Sequence, residues 1–499
     1  MMDEHGQSDG RIVPTKSLNN LEGSRAEGME GRRPAKGNAP AGPMPRTQGR
    51  TNGMTETLER IRQAVKRDKK TKLTALYHHV YNVDHLRDAY WGLNPKAAPG
   101  IDGETWQAYG EDLEANLIDL AKRLRRRAYR ATPARRAYIP KGDGRQRPLG
   151  VLVLEDKIVQ LVVAQIFTVI WEEEFLGFSY GFRPGRNAHQ ALDALAVGIE
   201  WTSVRWVLDT DIRSFYDTIS HEWLERFIEH RIGDRRVVAL IRKWLKTGVM
   251  EEGQRIPSEA GTQQGGSISP VLSNIYLHYV FDQWVHHWRR GKQHGEVIVV
   301  RYADDFVMGF GSRREAQRFQ RELRARLRKF SLELHADKTR LVEFGRYAET
   351  NRAERDLGKP ETFDFLGFTH ICTKNRQGNI TVLRKTVRKR MWAKLKVVKA
   401  ELKRRMHDPI PEQGRWLRSV LLGHYQYYGV PMNGPALSAF RYHVLSIWKQ
   451  TLGRRSQNGT VSWERMYRLE RKWLPPSRIC HPYPMQRLGV KTQGRSRMR

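Results

Sequence analysis

Two adjacent aspartates, Asp304 and Asp305, lie between two largely apolar segments of the chain, 297–303 and 306–310. β-Branched and aromatic side chains are frequent in both segments, as in buried strands, so the pair is predicted to lie at the tip of a tight hairpin. Two neighbouring carboxylates raise each other's pKa unless a cation neutralises them, and Mg²⁺ prefers carboxylate oxygen. The pattern therefore favours a divalent-metal site over a solvated turn.

A third aspartate, Asp211, follows another apolar segment and is itself followed by aromatic residues. One carboxylate from this strand and two from a neighbouring hairpin would hold two metal ions about 4 Å apart, and such a pair stabilises the attacking and leaving oxygens of phosphoryl transfer. We therefore expect a site for two Mg²⁺ ions at Asp211, Asp304 and Asp305, with Ile212 as a further residue of the metal site.

Residues 137–153 are predicted to form a hairpin around a Gly-rich loop. Lys141 in that loop and Arg147 on the returning strand would flank an incoming triphosphate and neutralise its charge. The alternative is that both are ordinary surface charges on an exposed hairpin.

Ser269 and Pro270 are predicted to open a helix, the serine as its capping residue and the proline at its first position. Just before them, the glycines at 265–266 allow the backbone to approach a base or sugar closely. Gln264 is therefore a candidate contact to a nucleotide base or sugar. Further helices are predicted over 73–130, with a Pro/Gly loop at 96–103, over 154–174 and over 223–247.

The formal charge of +34 is extreme for 499 residues, and most of it lies from residue 371 onward, where 29 Lys and Arg accompany five Asp and Glu. This asymmetry indicates a polyanionic partner, and interleaved aromatic residues favour nucleic acid over a membrane surface. The alternative is a basic face that only interacts with solvent. The aromatic residues in question are Trp392, Trp416, Tyr425, Tyr427, Tyr428, Trp448, Trp463 and Trp473.

Residues 384–405 are predicted to form an amphipathic helix. Most of its remaining positions are Lys or Arg, including Arg388, Lys389 and Lys396, and this face suits the phosphates of an RNA–DNA duplex or of a folded RNA. The apolar stripe that should face the core is Val387, Met391, Leu395, Val398 and Leu402.

Several features of composition restrict the setting of the protein. The cysteines are Cys372 and Cys480, too few for a disulfide framework or for a zinc site built from cysteine pairs. No apolar run reaches 18 residues, so no membrane span is expected, and the amino terminus lacks the apolar core of a signal peptide. We expect a cytoplasmic protein whose residues 1–53, rich in Gly, Pro, Arg and Asn, form a disordered basic extension, with Met54 as a candidate start.

Four segments, taken in order along the chain, resemble the palm motifs of reverse transcriptases. They are 211–219 (DIRSFYDTI), 261–270 (GTQQGGSISP), 302–305 (YADD) and 363–368 (FDFLGF). Other segments resemble bacterial group II intron-encoded proteins, the reverse transcriptase/maturases. These are 136–141 (RAYIPK), 147–150 (RPLG), 178–186 (FSYGFRPGR) and 423–429 (GHYQYYG). The resemblance covers about residues 54 to 484.

The resemblance implies an α/β right-hand polymerase. Its fingers-palm part, with an antiparallel palm sheet, would occupy 54–372, and an α-helical thumb, or maturase domain, would occupy 373–484. A basic tail over 485–499 would follow, so the nuclease domain that some relatives carry is expected to be absent. The implied activity is that of an RNA-directed DNA polymerase.

The resemblance also assigns roles to residues. It places Tyr216 beneath the sugar of the incoming nucleotide, where an aromatic ring would exclude a 2′-hydroxyl; a core tyrosine is the alternative. It makes Lys338 a candidate proton donor to the leaving pyrophosphate, although an ordinary surface lysine has the same sequence signature. Phe365, Leu366 and Gly367 belong to the hairpin that would grip the primer end.

The expected partners are the group II intron RNA, an RNA template with a DNA primer, deoxynucleoside triphosphates and target DNA, with a homodimer as one compatible assembly. Binding of the intron RNA would assist splicing and also mobility by target-primed reverse transcription. Two other functions stay open. One is a splicing-only RNA-binding maturase, against which the intact aspartates argue, and the other is an intron-less reverse transcriptase of host defence or repair.

Overall fold

The computed structural model describes residues 52–69, 71–140, 146–291, 296–375, 377–455 and 459–487. The expected basic extension over 1–53 lies almost entirely outside the described residues, and so does Lys141. The same holds for the part of the basic tail after residue 487.

The elements follow in chain order. The first part contains α1 (Asn52–Arg67), α2 (Tyr77–Val80), α3 (Val83–Gly92), α4 (Trp106–Glu111), α5 (Leu113–Arg125), β1 (Ala134–Pro140), β2 (Gln146–Val151), α6 (Leu154–Glu172) and α7 (Ala188–Trp201). The middle contains β3 (Trp206–Asp211), α8 (Phe215–Thr218), α9 (His221–Glu229), α10 (Arg235–Thr247), β4 (Val249–Glu251), β5 (Gln254–Ile256), α11 (Ser269–Leu277), a π-helical turn (His278–Asp282), α12 (Gln283–Trp288), β6 (Ile298–Tyr302), β7 (Asp305–Phe310) and α13 (Arg313–Lys329). The last part contains a 3₁₀ turn (Ala336–Lys338), β8 (Arg340–Glu343), α14 (Ala348–Ala353), β9 (Phe363–Phe365), β10 (Phe368–Lys374), β11 (Ile380–Thr386), α15 (Arg388–Arg404), α16 (Ile410–Tyr428), α17 (Gly434–Gly453) and α18 (Trp463–Trp473).

A four-stranded antiparallel sheet in the order β6-β7-β3-β8 forms the centre of the described fold. Strands β6 and β7 are almost fully buried, because α7 packs against β6, and α13 packs against β3 and β7. Apolar side chains such as Val300, Val307 and Met308 fill this core. The buried-strand pattern around the aspartates thus predicted these strands correctly.

A second sheet, in the order β2-β1-β4-β5, contains the predicted hairpin of β1 and β2. Helix α6 follows this hairpin and matches the helix predicted over 154–174, and it is apolar on nearly all sides. Such a helix must be surrounded by protein, and α6 packs against α1, α3 and α11.

The single helix predicted over 223–247 is wrong, because the chain breaks between α9 and α10. Asp234 caps α10, accepting a hydrogen bond from the backbone N–H of Arg236 at 3.1 Å. Its other carboxylate oxygen accepts from the N–H groups of Leu76 and Tyr77 at 3.0 and 2.9 Å. Helical periodicity cannot indicate this break, since the bonds join residues more than 150 positions apart.

The capping role predicted for Ser269 is also wrong. Ser269 is the first residue of α11, Ile268 precedes it without a side-chain cap, and the Ser269 hydroxyl donates to the carbonyl of Gln263 at 2.8 Å. Pro270 lies in the first turn of the helix, as predicted.

A third sheet, in the order β11-β10-β9, leads into four helices, α15 to α18. The helix predicted from residue 384 begins only at Arg388, because Arg384 belongs to β11, where its guanidinium donates to Asp193 at 2.7 Å. Residue 372 lies inside β10, so a domain division after it would cut this sheet. The division therefore stays a prediction.

The predicted apolar stripe of α15 faces the core of the helical region. Leu395, Val398 and Leu402 are buried, whereas Val387 and Met391 are half-buried. Among the described residues, no helix is long and apolar enough to cross a bilayer.

Candidate active site

The three predicted aspartates converge at one edge of the central sheet. Strand β3 ends at Asp211 and β7 begins at Asp305, and these two residues are direct partners in the antiparallel register. Asp304 lies beside them in the two-residue turn that joins Tyr302 of β6 to Asp305. The predicted tight hairpin is confirmed, and it places the three carboxyl groups at neighbouring positions.

The turn at Asp304 has an unusual backbone and a buried brace. Ala303 adopts a φ of 57°, a conformation that non-glycine residues reach only at a cost. The guanidinium of Arg301 donates to the carbonyl of Ala303 at 2.9 Å and, through its other nitrogens, to both carboxylate oxygens of Asp282 at 2.7 and 2.5 Å. Arg301 and Asp282 are both fully buried, so this ion pair fixes the turn from inside the protein.

A second support comes from the segment around Gly181. The backbone N–H of Tyr180 donates to the carbonyl of Arg301 at 2.8 Å, and the backbone N–H of Arg301 donates to the carbonyl of Phe178 at 2.9 Å. A side chain at Gly181 would place its Cβ only 2.4 Å from the nitrogen of Ala303. The glycine is therefore required for this segment to lie directly against the carboxylate turn.

The electrostatics of the site are dominated by negative charge. Partial removal from water raises the pKa values of Asp304, whose side chain is half-buried, and of Asp305, whose side chain remains exposed, and the charge of Asp211 raises both further. The positive charges of Arg147 and Lys338 act in the opposite direction on the pKa of Asp304, and Arg390 does so on that of Asp305. Carboxylates that are close together and partly removed from water repel one another, and a bound cation stabilises their charged form.

Lys338 supplies one such cation directly, because its ammonium group contacts the carboxylate of Asp211. Lys338 lies on the 3₁₀ turn before β8, which brings it across from the end of β3. In the described part of the chain, no cluster of three or more His, Cys, Asp or Glu side chains has the arrangement of a metal site. The donors at Asp211, Asp304 and Asp305 are nevertheless all carboxylate oxygens, the chemistry that suits Mg²⁺. Ile212 is buried and could offer only its main-chain carbonyl.

The loop 261–266 connects the carboxylate site with the β1–β2 hairpin. The backbone N–H of Thr262 donates to the carbonyl of Tyr216 at 2.7 Å, and the backbone N–H of Gly150 donates to the main-chain carbonyl of Gln264 at 2.7 Å. Gly265 has a φ of 117°, and a Cβ there would lie 2.6 Å from the carbonyl oxygen of Gly150. The glycine thus permits a close approach to the backbone of the β1–β2 hairpin. The predicted approach of this loop to a base or sugar stays a prediction.

Those nucleotide-binding candidates that the structure describes lie around one region. Arg147 is exposed on β2, near enough to lower the pKa of Asp304, and Gln264 is half-buried with its side-chain amide 3.4 Å from Asp217. Tyr216 is half-buried in α8, with its ring edge-on to that of Phe215 at 5.5 Å. Both interpretations of Tyr216, sugar contact and core residue, are compatible with this position.

The primer-grip candidates form a second tight hairpin. Leu366 and Gly367 join β9 to β10 with φ values of 46° and 85°, and Phe365 precedes them in β9. The hydroxyl of Tyr427 in α16 donates to the carbonyl of Leu366 at 2.9 Å, and its ring stacks on Phe368. This turn is therefore anchored to the carboxy-terminal helices.

The basic candidates Arg388, Lys389 and Lys396 are all exposed on α15. Arg390, which follows Lys389 in the chain, was not among the predicted site residues, although its positive charge acts to lower the pKa of Asp305. The amino end of α15 therefore lies on the carboxylate side of the molecule.

Sequence reasoning also missed Asp209, Arg301 and Asp282. Burial raises the pKa of Asp209 to about 7, and Asp209 lies two positions before Asp211 on the same face of β3. A charged residue inside an apolar strand segment was a usable signal for Arg301 and Asp209. Asp282 gave no such signal, because its partner lies 19 residues away.

Comparisons with known proteins agree with this geometry. Residues 139–370 match the family model "Reverse transcriptase (RNA-dependent DNA polymerase)". Protein YkfC of Escherichia coli is 33% identical over 324 residues, 58% of this chain and 81% of that protein. Group II intron-encoded protein LtrA of Lactococcus lactis is 35% identical over 225 residues, 44% of this chain but only 37% of LtrA.

A plant protein, nuclear intron maturase 1 of Arabidopsis thaliana, is 25% identical over 113 residues, 23% of this chain and 16% of that protein. The residues that match the family model include Asp211, Asp304 and Asp305 as well as most of the β9–β10 hairpin. The chain belongs to the reverse transcriptase family and is related to group II intron-encoded proteins.

Proposed function

We propose that the protein is an RNA-directed DNA polymerase with its catalytic centre at Asp211, Asp304 and Asp305. The observation that carries the proposal is the pairing of Asp211 with Asp305 across two strands, with Asp304 in the adjoining turn. In this proposal the central sheet is the palm, the β1–β2 hairpin belongs to the fingers, and α15 to α18 form the thumb.

The three carboxylates would hold two Mg²⁺ ions. When bound, such ions lower the pKa of the attacking primer hydroxyl and stabilise the charge of the leaving pyrophosphate. The buried Arg301–Asp282 pair keeps the Asp304 turn in place, so the acidic groups are positioned before substrate arrives.

Side chains around the carboxylates would position the substrates. Arg147, with Lys141, neutralises the triphosphate, and Gln264 contacts the nascent base pair or template. Tyr216 selects deoxynucleotides by leaving no space for a 2′-hydroxyl. Lys338 donates a proton to the pyrophosphate, a role that its contact with Asp211 supports because that contact places it at the site.

The primer end would be held by the hairpin of Phe365, Leu366 and Gly367. Its hydrogen bond from Tyr427 supports this role, because a primer lying between palm and thumb would be gripped by a turn that is itself attached to the thumb.

The second proposed activity is binding of a group II intron RNA, to assist splicing and mobility by target-primed reverse transcription. The exposed basic side chains Arg388, Lys389 and Lys396 support it, as does the relationship to LtrA, a group II intron-encoded protein. Target DNA and the RNA template with its DNA primer are the other proposed partners. The competing proposal is an intron-less reverse transcriptase, which would show polymerase activity without enhanced splicing of any intron RNA.

Primer extension tests the polymerase proposal. A DNA primer annealed to an RNA template should be extended in Mg²⁺, and chelation of the metal should abolish extension reversibly. Because the pKa values of Asp304 and Asp305 are raised, protons compete with the metal at unusually high pH. The Mg²⁺ concentration for half-maximal extension should therefore rise as the pH falls from about 8 to about 6. Extension that persists without divalent metal would overturn the proposal.

A further inference from the structure

The carboxy-terminal helices expose a continuous row of aromatic rings. Trp392 of α15 contacts His443 of α17 with ring centroids 4.8 Å apart. His443 adjoins Tyr442, whose ring lies nearly parallel to that of Trp463 in α18 at 6.4 Å, and Trp463 stacks with Tyr467 at 5.8 Å. We call these five residues the aromatic strip.

The strip is not part of the hydrophobic core. Tyr442 is 57% exposed and Tyr467 is 49% exposed, and Trp392 and Trp463 are also exposed. By contrast, Tyr425, Tyr428 and Trp448, which the sequence analysis grouped with Trp392 and Trp463, are buried between the same helices. The fold therefore has its own aromatic core and does not need the strip for burial.

Positive charge surrounds the strip. The ammonium of Lys449 lies 5.1 Å from the ring centroid of Trp463, and Lys389 and Lys396 lie three positions before and four positions after Trp392 on α15, hence on its face. From residue 388 to 473 there are 19 Lys and Arg and five Asp and Glu. One of the acidic residues beside the strip, Glu464, is paired with Arg468 at 3.4 Å.

Exposed rings with adjacent cations are the combination that binds single-stranded nucleic acid, because bases stack on the rings while cations contact the phosphates. A double helix hides its base faces, so it could use the cations but not the rings. We infer that the aromatic strip is a stacking platform for unpaired nucleotides of RNA, next to the basic face of α15 that contacts paired backbone. This inference deepens the proposed RNA-binding function and rests on it.

Binding of a fluorescent single-stranded oligoadenylate of about 12 nucleotides by the full chain tests the inference. Replacing both Tyr442 and Tyr467 with Leu should weaken this binding about 10- to 100-fold, whereas Tyr442→Phe with Tyr467→Phe should retain it, because only the rings are needed. Affinity for a blunt RNA duplex of the same length should change less than about threefold in both variants. Trp201→Leu, which removes an exposed ring at the end of α7, is the control and should bind oligoadenylate normally.

The salt dependence separates stacking from charge. Loss of rings should lower affinity without changing the slope of log affinity against log salt, since that slope counts phosphate contacts. Equal loss of duplex and oligoadenylate binding, or unchanged oligoadenylate binding, would overturn the inference. So would a change in oligomeric state in the Leu variant, which would make the strip a contact between protein copies.

Primer extension by the same variants keeps the two proposals apart. Metal-dependent extension should survive in the Leu variant at saturating primer–template. Absence of extension in the unmodified chain would count against the polymerase proposal alone, whereas normal oligoadenylate binding by the Leu variant would count against the strip alone.

Discussion

Asp211 and Asp305 are cross-strand partners at the end of two paired strands, and this single register explains much of the site's chemistry. It brings acidic groups together where the surrounding protein also reduces their hydration, so the pKa values of Asp304 and Asp305 rise. The aspartates and their hairpin could be predicted from sequence because carboxylates interrupt a strand pattern. Asp209 interrupts a strand pattern in the same way, but its pKa of about 7 could not be predicted, because this shift comes from burial that only the fold creates.

The residue-scale prediction concerns Tyr216. Replacing it with Ala should remove the steric exclusion of a 2′-hydroxyl, so kcat/KM for ribonucleotides should rise relative to that for deoxynucleotides, by about tenfold or more. Tyr216→Phe, which keeps the ring, should preserve the selectivity of the unmodified protein. Single-nucleotide incorporation kinetics measure the ratio. If the Ala variant keeps the same ratio but loses stability, the tyrosine is a core residue.

Elements that depend on local pattern were predictable, and elements that depend on distant partners were not. The β6–β7 hairpin and α6 follow from alternating or continuous apolar character. The break between α9 and α10 depends on Asp234 receiving hydrogen bonds from Leu76 and Tyr77, and this information is absent from the periodicity of 223–247. The Arg301–Asp282 brace also depends on a distant partner, because it joins β6 to a π-helical turn earlier in the chain.

The element-scale prediction concerns this brace. Arg301→Met would leave the buried carboxylate of Asp282 without its cation, so the free energy of unfolding should fall by about 3 to 5 kcal/mol. Adding Asp282→Leu should recover part of the loss, because no buried charge would remain. Equilibrium denaturation by urea measures these differences.

The exposed ion pair of Arg60 and Glu56 provides a matched control for the brace. Its side chains lie 3.6 Å apart and are 81% and 59% exposed, so Arg60→Met should cost less than about 1 kcal/mol. Similar losses for Arg301→Met and Arg60→Met would mean that the buried pair does not stabilise the turn.

At the scale of the whole molecule, charge is distributed unevenly: acidic groups gather at one edge of the central sheet, and most of the excess positive charge lies from residue 371 onward. Composition predicted a basic carboxy-terminal region. It could not show which aromatic residues there are exposed, because Trp448 and Trp463 differ only in what the helices place over them. The domain boundary that the family resemblance implied after residue 372 stays a prediction, since residue 372 lies within β10 and strand pairing across it leaves no mark in composition.

The whole-molecule prediction concerns the basic face of α15. Changing Arg388, Lys389 and Lys396 together to Gln should weaken binding of a group II intron RNA. It should also reduce the log–log salt slope by about three, because each removed cation leaves roughly one phosphate without its positively charged partner. Filter binding at several salt concentrations measures both quantities. An equal loss of charge on α13, by changing Arg314, Arg321 and Arg324 to Gln, is the control, because these side chains are also exposed. Equal effects of the two triple variants would show that only net charge matters.

The central claim is that Asp304, with Asp211 and Asp305, carries out nucleotidyl transfer. The most direct measurement is the single-turnover rate of DNA primer extension on an RNA template in Mg²⁺ for Asp304→Asn, which keeps the shape of the side chain and removes its charge. The account predicts a loss of at least about 4 kcal/mol of transition-state stabilisation, roughly a thousandfold in rate, with RNA binding retained. Asp112→Asn, at an exposed position outside the site, should extend at the unmodified rate. Extension by Asp304→Asn at a rate close to that of Asp112→Asn would contradict the account.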